Sequence, residues 1–280
     1  MNSAREASIP EDKFRQLSQF IYKQTGILMP DSKRAMLTAR IQKRLRVVGL
    51  DSFTDYVDWI LNPREAGGEL THFIDIVTTN KTDFFREPQH FEYLSTQVLP
   101  AYTQDNPSKA FKIWSAACSS GEEPYTMSIV LNEFQAKNQG FSFQILATDL
   151  STRVLKSGKN GVYAMDKVAP IPMPLKKKYL LKHKDSSKKV AKMGPELRKT
   201  IRFQQLNFMD NDYGVREKMD VIFCRNAIIY FDRPTTEQIV NKFARYLAPN
   251  GFLFIGHSET LNNLKVPFKP VAPTIYQKTS

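Results

Sequence analysis

Apolar residues recur at helical spacing through the first quarter of the chain, as Phe14, Leu17 and Ile21 illustrate. Four stretches show this spacing, and a glycine follows each of the first two, where the backbone of a helix end favours glycine. The predicted helices cover about residues 8–25, 31–48, 53–61 and 65–77. The pattern therefore predicts a helical N-terminal domain that occupies residues 1–78.

Polar residues predict where the first two helices begin. Ser8 and Glu11 have the spacing of a capping box, in which each side chain accepts a hydrogen bond from the backbone of the other. Asp31 or Ser32 is predicted to cap the second helix in the same manner. After the fourth helix, residues 78–88 break the helical spacing, and we interpret them as a linker anchored by Phe84 and Phe85.

From Pro88 onwards, helical stretches alternate with short apolar runs that predict strands. One strand is predicted to begin at Phe111, and three others are predicted at residues 143–149, 219–224 and 251–256. Helices are predicted at about 88–99, 123–135, 151–157 and 235–247. Such alternation predicts an α/β fold, a doubly wound and mostly parallel sheet with helices on both faces, over residues 79–280.

One segment interrupts this alternation. Residues 168–205 contain three closely spaced prolines, a short helical stretch at 175–181 and two strand-like runs at 190–193 and 200–206. We interpret the segment as a small β-rich insertion that projects from the sheet.

The net charge of +12 is concentrated in two places. Residues 167–202 contain twelve lysines and arginines against two acids, and residues 31–48 contain six against one. Lys33, Arg40 and Arg44 are predicted to share one stripe of the second helix. Clusters of this size suit an acidic partner, which could be a protein helix, a nucleic acid or a membrane surface, although the charge could also serve solubility alone.

Other bulk features exclude several classes of protein. No apolar run approaches the roughly 20 residues that span a membrane, and the N-terminus has no apolar signal core, so we expect a soluble, cytoplasmic protein. The sequence shows no coiled-coil heptads, which favours a monomer. Cys118 and Cys224 are too far apart for a C-x-x-C pair. The four histidines, at positions 72, 90, 183 and 257, show no metal-ligand spacing, so we predict no metal site.

Candidate chemistry collects where the predicted strands end. The small-residue loop from Cys118 to Glu123 joins a strand to a helix, which leaves backbone N–H groups available to a polar ligand. Asp149 ends the next strand, where an acid can accept both hydroxyls of a ribose. The loop lacks the G-x-G-x-x-G of dinucleotide sites, so the two features indicate only a nucleoside-containing cofactor. The alternative role for Asp149 is to cap the following helix.

Two further strand ends carry polar residues. Asn207 could hydrogen-bond an adenine edge while Phe208 packs on the ring; alternatively, they are a turn-forming Asn and a core Phe. Cys118 and Cys224 both follow strands and could be neighbours, as a free thiol pair without a catalytic role. His257 is interpreted as structural.

Five blocks of the chain resemble the chemotaxis receptor methyltransferases of the CheR family. The blocks cover nearly the full chain in order, and they are 78–86 (TTNKTDFFR), 114–125 (WSAACSSGEEPY), 147–149 (ATD), 223–231 (FCRNAIIYF) and 251–259 (GFLFIGHSE). The resemblance implies a Rossmann-like methyltransferase fold and S-adenosylmethionine as methyl donor, with S-adenosylhomocysteine as product. It implies methylation of glutamate side chains on chemotaxis receptors, giving methyl esters for sensory adaptation.

The resemblance also implies roles for individual residues. Asp149 would hold the ribose hydroxyls of the donor, whereas Arg86 and Tyr230 would lie near the transferring methyl as the catalytic pair. The residues implied to contact the donor are Asn80, Thr82, Arg86, Glu123, Asp149, Asn207, Phe208, Asn226 and Ala227. The helix that bears Arg40 and Arg44 would meet the helical bundle of the receptor.

The insertion would be a second docking site, which in some family members takes a receptor's C-terminal pentapeptide by strand addition. This chain is rich in lysine there, at Lys188 and Lys189, where pentapeptide-binding members are richer in glycine, so its ligand stays open.

Three alternatives come from other classes. A nucleic-acid methyltransferase would suit the charge, but the segment from Asn226 to Tyr230 lacks the prolines of the N/D-P-P-aromatic motif, and the basic clusters contain few aromatic residues for stacking bases. A dinucleotide-dependent oxidoreductase is disfavoured by the missing glycine pattern. A non-catalytic binding module would be distinguished by its lack of affinity for the donor.

Overall fold

The computed structural model describes residues 7–106, 108–185 and 187–279. Its N-terminal part is all-α, as predicted, with a core of apolar side chains that includes Phe14, Leu37, Ile41 and Phe73. The helices are α1 (Glu11–Thr25), α2 (Arg34–Val48), α3 (Phe53–Leu61), α4 (Pro63–Ala66) and α5 (Gly68–Val77).

The predicted helix starts in this part are wrong in detail. No side chain caps α1, whose N-cap is Pro10, so Ser8 and Glu11 do not form a capping box. A 3₁₀ turn, Asp31–Lys33, precedes α2, and neither Asp31 nor Ser32 caps it. The fourth predicted helix is two helices, because the backbone reverses at Gly67, whose φ is +49°.

The C-terminal part is the predicted α/β layer structure. Its helices are α6 (Pro88–Tyr93), α7 (Leu99–Asp105), α8 (Glu122–Gln135), α9 (Thr152–Asn160), α10 (Met173–Tyr179), α11 (Pro195–Arg198) and α12 (Arg233–Tyr246), and a π-helical turn, Leu94–Val98, joins α6 to α7. Its strands are β1 (Phe111–Ala116), β2 (Phe143–Asp149), β3 (Val162–Ala164), β4 (Leu180–Lys182), β5 (Val190–Met193), β6 (Ile201–Gln205), β7 (Met219–Cys224), β8 (Leu247–Ile255), β9 (Phe268–Ala272) and β10 (Ile275–Lys278).

Seven strands form one sheet in the order β6-β2-β1-β7-β8-β10-β9. The first five are parallel, and β10 pairs antiparallel with both β8 and β9. The strand order reverses between β1 and β7, and ligands of such sheets bind outside the carboxyl ends of the strands at this reversal. The fold therefore predicts the position of a binding site before any side chain is considered.

The two faces of this sheet have separate cores. Alternate residues of β1 point to opposite faces, so Ile113 contributes to one core and Trp114 to the other. Cys118 belongs to the first core and Cys224 to the second. The expectation that the two thiols are neighbours is therefore wrong.

The small insertion is a three-stranded antiparallel sheet, in the order β3-β5-β4. Its first strand begins at Val162, before the predicted start at residue 168. Strand β6, which the sequence pattern places in the insertion, instead pairs in parallel with β2 at the edge of the large sheet. A strand has the same two-residue period in either sheet, so the sequence pattern could not assign β6 to one of them.

No helix among the described residues is both long and apolar enough to cross a bilayer.

Candidate functional site

All ten residues predicted for the site line one cleft at the carboxyl ends of β1, β2 and β7. They are Asn80, Thr82, Arg86, Glu123, Asp149, Asn207, Phe208, Asn226, Ala227 and Tyr230. The helical part of the chain forms another wall, through Thr25, Ile27, Met29, Lys33 and Met36. Sequence analysis had not assigned these five residues to the site, because nothing in a helical pattern shows which turn faces another domain.

The loop between β1 and α8 is shaped by left-handed backbone. Ala117 and Ser119 have φ values of +66° and +48°, which are unfavourable for residues with a Cβ atom. Gly121 has a φ of +99°, and a Cβ atom there would lie 2.8 Å from the hydroxyl of Tyr163 and 3.0 Å from Cα of Gly158. Glycine is therefore required where the loop enters α8, and the unusual backbone turns the loop towards the end of β2.

Asp149 fastens this loop to the second strand. Its Oδ2 accepts a hydrogen bond from the backbone N–H of Ser119 at 2.8 Å, and its Oδ1 accepts one from Ser151 at 2.9 Å. The helix that follows is capped by the Ser151 hydroxyl, which accepts from Val154, so Asp149 is not its N-cap. Burial raises the pKa of the Asp149 carboxyl, although the backbone N–H groups oppose the shift.

Arg225 lies between two carboxylates at the inner end of the cleft. Its Nε is 3.4 Å from Oε2 of Glu123 and 3.6 Å from Oε2 of Glu87, and its side chain is only 2% exposed. Ser115 donates to the other oxygen of Glu123 at 2.6 Å. Burial raises the pKa of Glu123, and the Arg225 guanidinium opposes that shift. Sequence analysis missed Arg225, since both carboxylates are distant from it in sequence.

Asn207 and Phe208 have the structural roles that were the alternative to adenine binding, a turn-forming Asn and a core Phe. Both residues also line the cleft. The amide nitrogen of Asn207 donates to the carbonyl of Gln24 at 2.7 Å, and its oxygen accepts from the backbone of Met209 at 3.0 Å. Phe208 is 9% exposed, and its ring contacts Tyr213, Phe231 and Phe243. The pair thus joins α1 to the sheet and gives the cleft an aromatic wall.

Tyr230 connects the cleft to the helical part of the chain. Its carbonyl accepts from the backbone of Leu28 at 2.9 Å, and Nζ of Lys33 lies 5.2 Å from the centre of its ring. Burial, and to a lesser extent the Arg40 guanidinium, lower the pKa of Lys33. Arg86 reaches the cleft from the linker and donates to the carbonyl of Lys81 at 3.1 Å.

The fold and the cleft together define a Rossmann-like methyltransferase. The chain belongs to the CheR methyltransferase family: residues 80–277 match the family model for the SAM-binding domain, and residues 12–78 match the model for the all-alpha domain. S-adenosylmethionine is accordingly its methyl donor.

Curated relatives match along almost the whole chain. The chemotaxis protein methyltransferase of Borreliella burgdorferi is 37% identical over 97% of this chain and 95% of its own length. Chemotaxis protein methyltransferase 2 of Pseudomonas aeruginosa is 35% identical over 97% of this chain and 95% of its own. The chemotaxis protein methyltransferase of Salmonella typhimurium is 33% identical over 99% of this chain and 93% of its own length.

Proposed function

We propose that this protein transfers a methyl group from S-adenosylmethionine to glutamate side chains of chemotaxis receptors, forming methyl esters. The observation that carries the proposal is the composition of the cleft. Among the described residues that line it there is no histidine and no cysteine, whereas Lys33, Arg86 and Arg225 provide cations. A carboxylate acceptor is already ionised near pH 7, since the glutamate pKa is about 4.3, and so it requires no general base.

The residues of the cleft fit the methyl donor. Asp149 keeps lone pairs beyond those used by Ser119 and Ser151, which suits the two ribose hydroxyls. Nη1 of Arg225 is buried without a hydrogen-bond partner among the described residues, and it suits the carboxylate of the donor's amino-acid part together with Arg86. We assign the adenine to Asn207 and Phe208, and the rest of the donor to Asn80, Thr82, Glu123, Asn226 and Ala227.

Bound S-adenosylmethionine supplies a methyl group made electrophilic by a sulfonium. The protein's own task is to align the acceptor carboxylate and keep it ionised once water is excluded. We infer that Arg86 performs this through its positive charge and that Tyr230 orients the carboxylate by donating a hydrogen bond. Glu123, held by Ser115 and Arg225, supplies negative charge against the donor's ammonium group.

We infer further that the receptor binds to the positively charged surfaces of the protein. The surfaces available to it include the 3₁₀ turn before α2, whose Lys33 reaches the cleft, and the exposed lysines of the insertion. A cytoplasmic, monomeric enzyme acting on the helical bundle of a receptor is consistent with these surfaces, and nucleic acid is not part of the proposal.

The test uses a donor with a labelled methyl group. The protein is incubated with receptor-containing membranes and, separately, with RNA, and both products are treated with mild alkali. We expect label on receptor protein that alkali releases as methanol, the behaviour of a carboxyl methyl ester. Base-stable label on RNA would mean that the acceptor is wrong and that the basic surfaces bind nucleic acid.

The assignment of the ribose to Asp149 is tested by donor affinity. Asp149→Ala removes the acceptor of two backbone hydrogen bonds as well as the proposed ribose contact, so Asp149→Asn is the matched variant that keeps the size of the side chain. Both are expected to weaken donor binding at least tenfold in calorimetric titration, while circular dichroism shows a folded protein. Normal donor affinity in Asp149→Asn would refute the assignment.

A further inference from the structure

Three potential metal ligands converge beside the cleft, although they are distant in sequence. Nδ1 of His90 lies 3.5 Å from Oε2 of Glu87, and Nε2 of His257 lies 4.0 Å from the same oxygen. The three ligand atoms all lie within 4.8 Å of one another. None of the three residues is among those that line the cleft, and the proposed methyl transfer uses none of them.

The hydrogen bonds of His90 fix which of its nitrogens carries the proton. Nε2 lies 2.8 Å from the hydroxyl of Thr274, and that hydroxyl donates its own hydrogen to the carbonyl of Pro273 at 2.7 Å. The hydroxyl can therefore only accept from His90, so Nε2 is the protonated nitrogen. Nδ1 keeps a lone pair, which is the form that binds a metal.

This lone pair faces a carboxylate oxygen that is also without a donor. Oε1 of Glu87 accepts from the backbone of His257 at 3.2 Å and from Asn226 at 3.4 Å. Oε2 of Glu87 and Nδ1 of His90 are both buried, and neither has a hydrogen-bond partner among the described residues. Two acceptors that face each other at 3.5 Å repel unless a cation lies between them.

We propose that Glu87, His90 and His257 form a binding site for a divalent transition metal ion of the zinc class. Two imidazoles and a carboxylate are ligands that such ions prefer. Ligand atoms of a tetrahedral zinc site lie about 3.3 Å apart, given Zn–N and Zn–O distances near 2.0 Å. The spacings of 3.5 and 4.0 Å exceed this value slightly, and the third spacing lies within 4.8 Å, so closure requires the exposed His257 side chain to move towards the other two ligands. The His257 side chain is 51% exposed, which gives the ion a path from solvent.

Arg225 does not prevent binding. Its Nε lies 3.6 Å from Oε2 of Glu87, but it also lies 3.4 Å from Oε2 of Glu123, so one guanidinium is shared by two carboxylates. Arg225 alone therefore does not neutralise both carboxylates. Because Glu87 belongs to the linker and His257 follows β8, a bound ion would cross-link these two segments.

The test is calorimetric titration of the full-length protein, free of any histidine tag, with zinc chloride alone. We expect one equivalent to bind to the unaltered chain and binding to weaken at least tenfold in His257→Ala. His183→Ala is the control, because His183 is an exposed histidine of the insertion. Absence of binding to the unaltered chain, or equal loss in His257→Ala and His183→Ala, would overturn the proposal.

Cobalt provides a second readout that does not depend on the stability of one variant. Co²⁺ bound by two imidazoles and a carboxylate is expected to give visible d–d absorption that Glu87→Gln reduces. If nitrogen chemical shifts instead show His90 protonated on both nitrogens at pH 7 with zinc present, a proton occupies the gap and the proposal is wrong. Neither readout uses methylation, so its failure is separate from failure of the proposed function.

Discussion

Two segments of this chain, residues 31–48 and 167–202, have a similar density of excess positive charge in sequence, yet they use it differently in the structure. The cations of the α2 segment, residues 31–48, are largely engaged within the protein, whereas many of those in the insertion are exposed. The difference shows that a basic cluster in a sequence establishes how much charge is present, but not how much remains available to a partner. Burial and neighbouring acceptors decide that availability.

Two arginines of α2 stabilise the helical part of the chain. Arg44 makes a paired contact with the carboxylate of Glu69, to which its Nε donates at 2.6 Å, and the hydroxyl of Tyr56 donates to the same carboxylate at 2.8 Å. Arg40 donates to the carbonyls of Ile76, Val77 and Thr78, at 2.8, 3.0 and 3.2 Å. The prediction that Arg40 and Arg44 meet a receptor therefore has to account for these internal contacts.

The lysines of the insertion have few such acceptors. Lys178 contacts Glu133 and Lys167 contacts Asp83, both at the surface. The side chains of Lys188 and Lys189 are exposed, and they form no ion pair with the described residues. Their charge remains available to an acidic partner.

The largest effect is expected where the charge of α2 is most buried. Arg44→Ala would leave the Glu69 carboxylate, whose side chain is 5% exposed, without its cation. We expect the free energy of unfolding to fall by about 3 kcal/mol, measured by urea denaturation. Arg46→Ala, at an exposed position of the same helix, is the control and should change it by less than about 0.5 kcal/mol. Equal effects of the two substitutions would refute the distinction between the engaged and the exposed cations of α2.

Lowering the pH is expected to destabilise the folded protein through the same ion pair. Burial alone would raise the pKa of Glu69, but the hydrogen bonds from Arg44 and Tyr56 hold it below its ordinary value. A carboxyl with a lower pKa in the folded state stabilises the protein above its unfolded pKa of about 4.3, and this contribution is lost as the pH falls through the folded value. Unfolding measured between pH 6 and pH 3 should lose that part of its pH dependence in Glu69→Gln.

The sequence was sufficient for the parts of the structure that depend on local pattern. Helical spacing and alternating apolar runs predicted the all-α part and the mostly parallel sheet covered by helices. The family resemblance predicted ten residues that line one cleft, and eight of them lie in the five motif blocks. Most of these residues lie at a strand end, in the linker or in a short turn that follows a strand, and Glu123 lies in the first turn of α8. The carboxyl ends of parallel strands meet at one edge of a sheet.

Features that depend on distant partners were missed. The pairing with β2 places β6 in the large sheet. The role of Arg225 in the site depends on its contacts with Glu87 and Glu123, which are distant from it in sequence. The histidines showed no metal spacing in sequence, yet folding brings His90 and His257 to a ring separation of 5.2 Å. The spacing of residues along the chain does not predict these distances.

A smaller effect is expected from Arg40, a half-buried cation of α2. Arg40→Ala would release the end of α5, which leads into the linker residues Asn80 and Thr82 of the cleft. We expect donor affinity to fall about tenfold, or about 1.4 kcal/mol, with Lys43→Ala as the exposed control on the same helix. If Arg40→Ala instead raised the KM for receptor and left donor affinity unchanged, Arg40 would be a receptor contact despite its internal hydrogen bonds.

The smallest effect on stability, and a distinct effect on association, is expected in the insertion. Reversing two exposed charges, in Lys188→Glu combined with Lys189→Glu, removes no contact within the described residues, so the free energy of unfolding should change by less than about 0.5 kcal/mol. If these lysines attract an acidic receptor, the association rate should fall several-fold at low salt, and the difference should shrink as salt is added, because screening weakens attraction between exposed charges. Lys156→Glu combined with Lys159→Glu changes the net charge equally at exposed positions of α9. Equal slowing by both pairs would mean that the receptor responds to overall charge, and the insertion would then have no special role in docking.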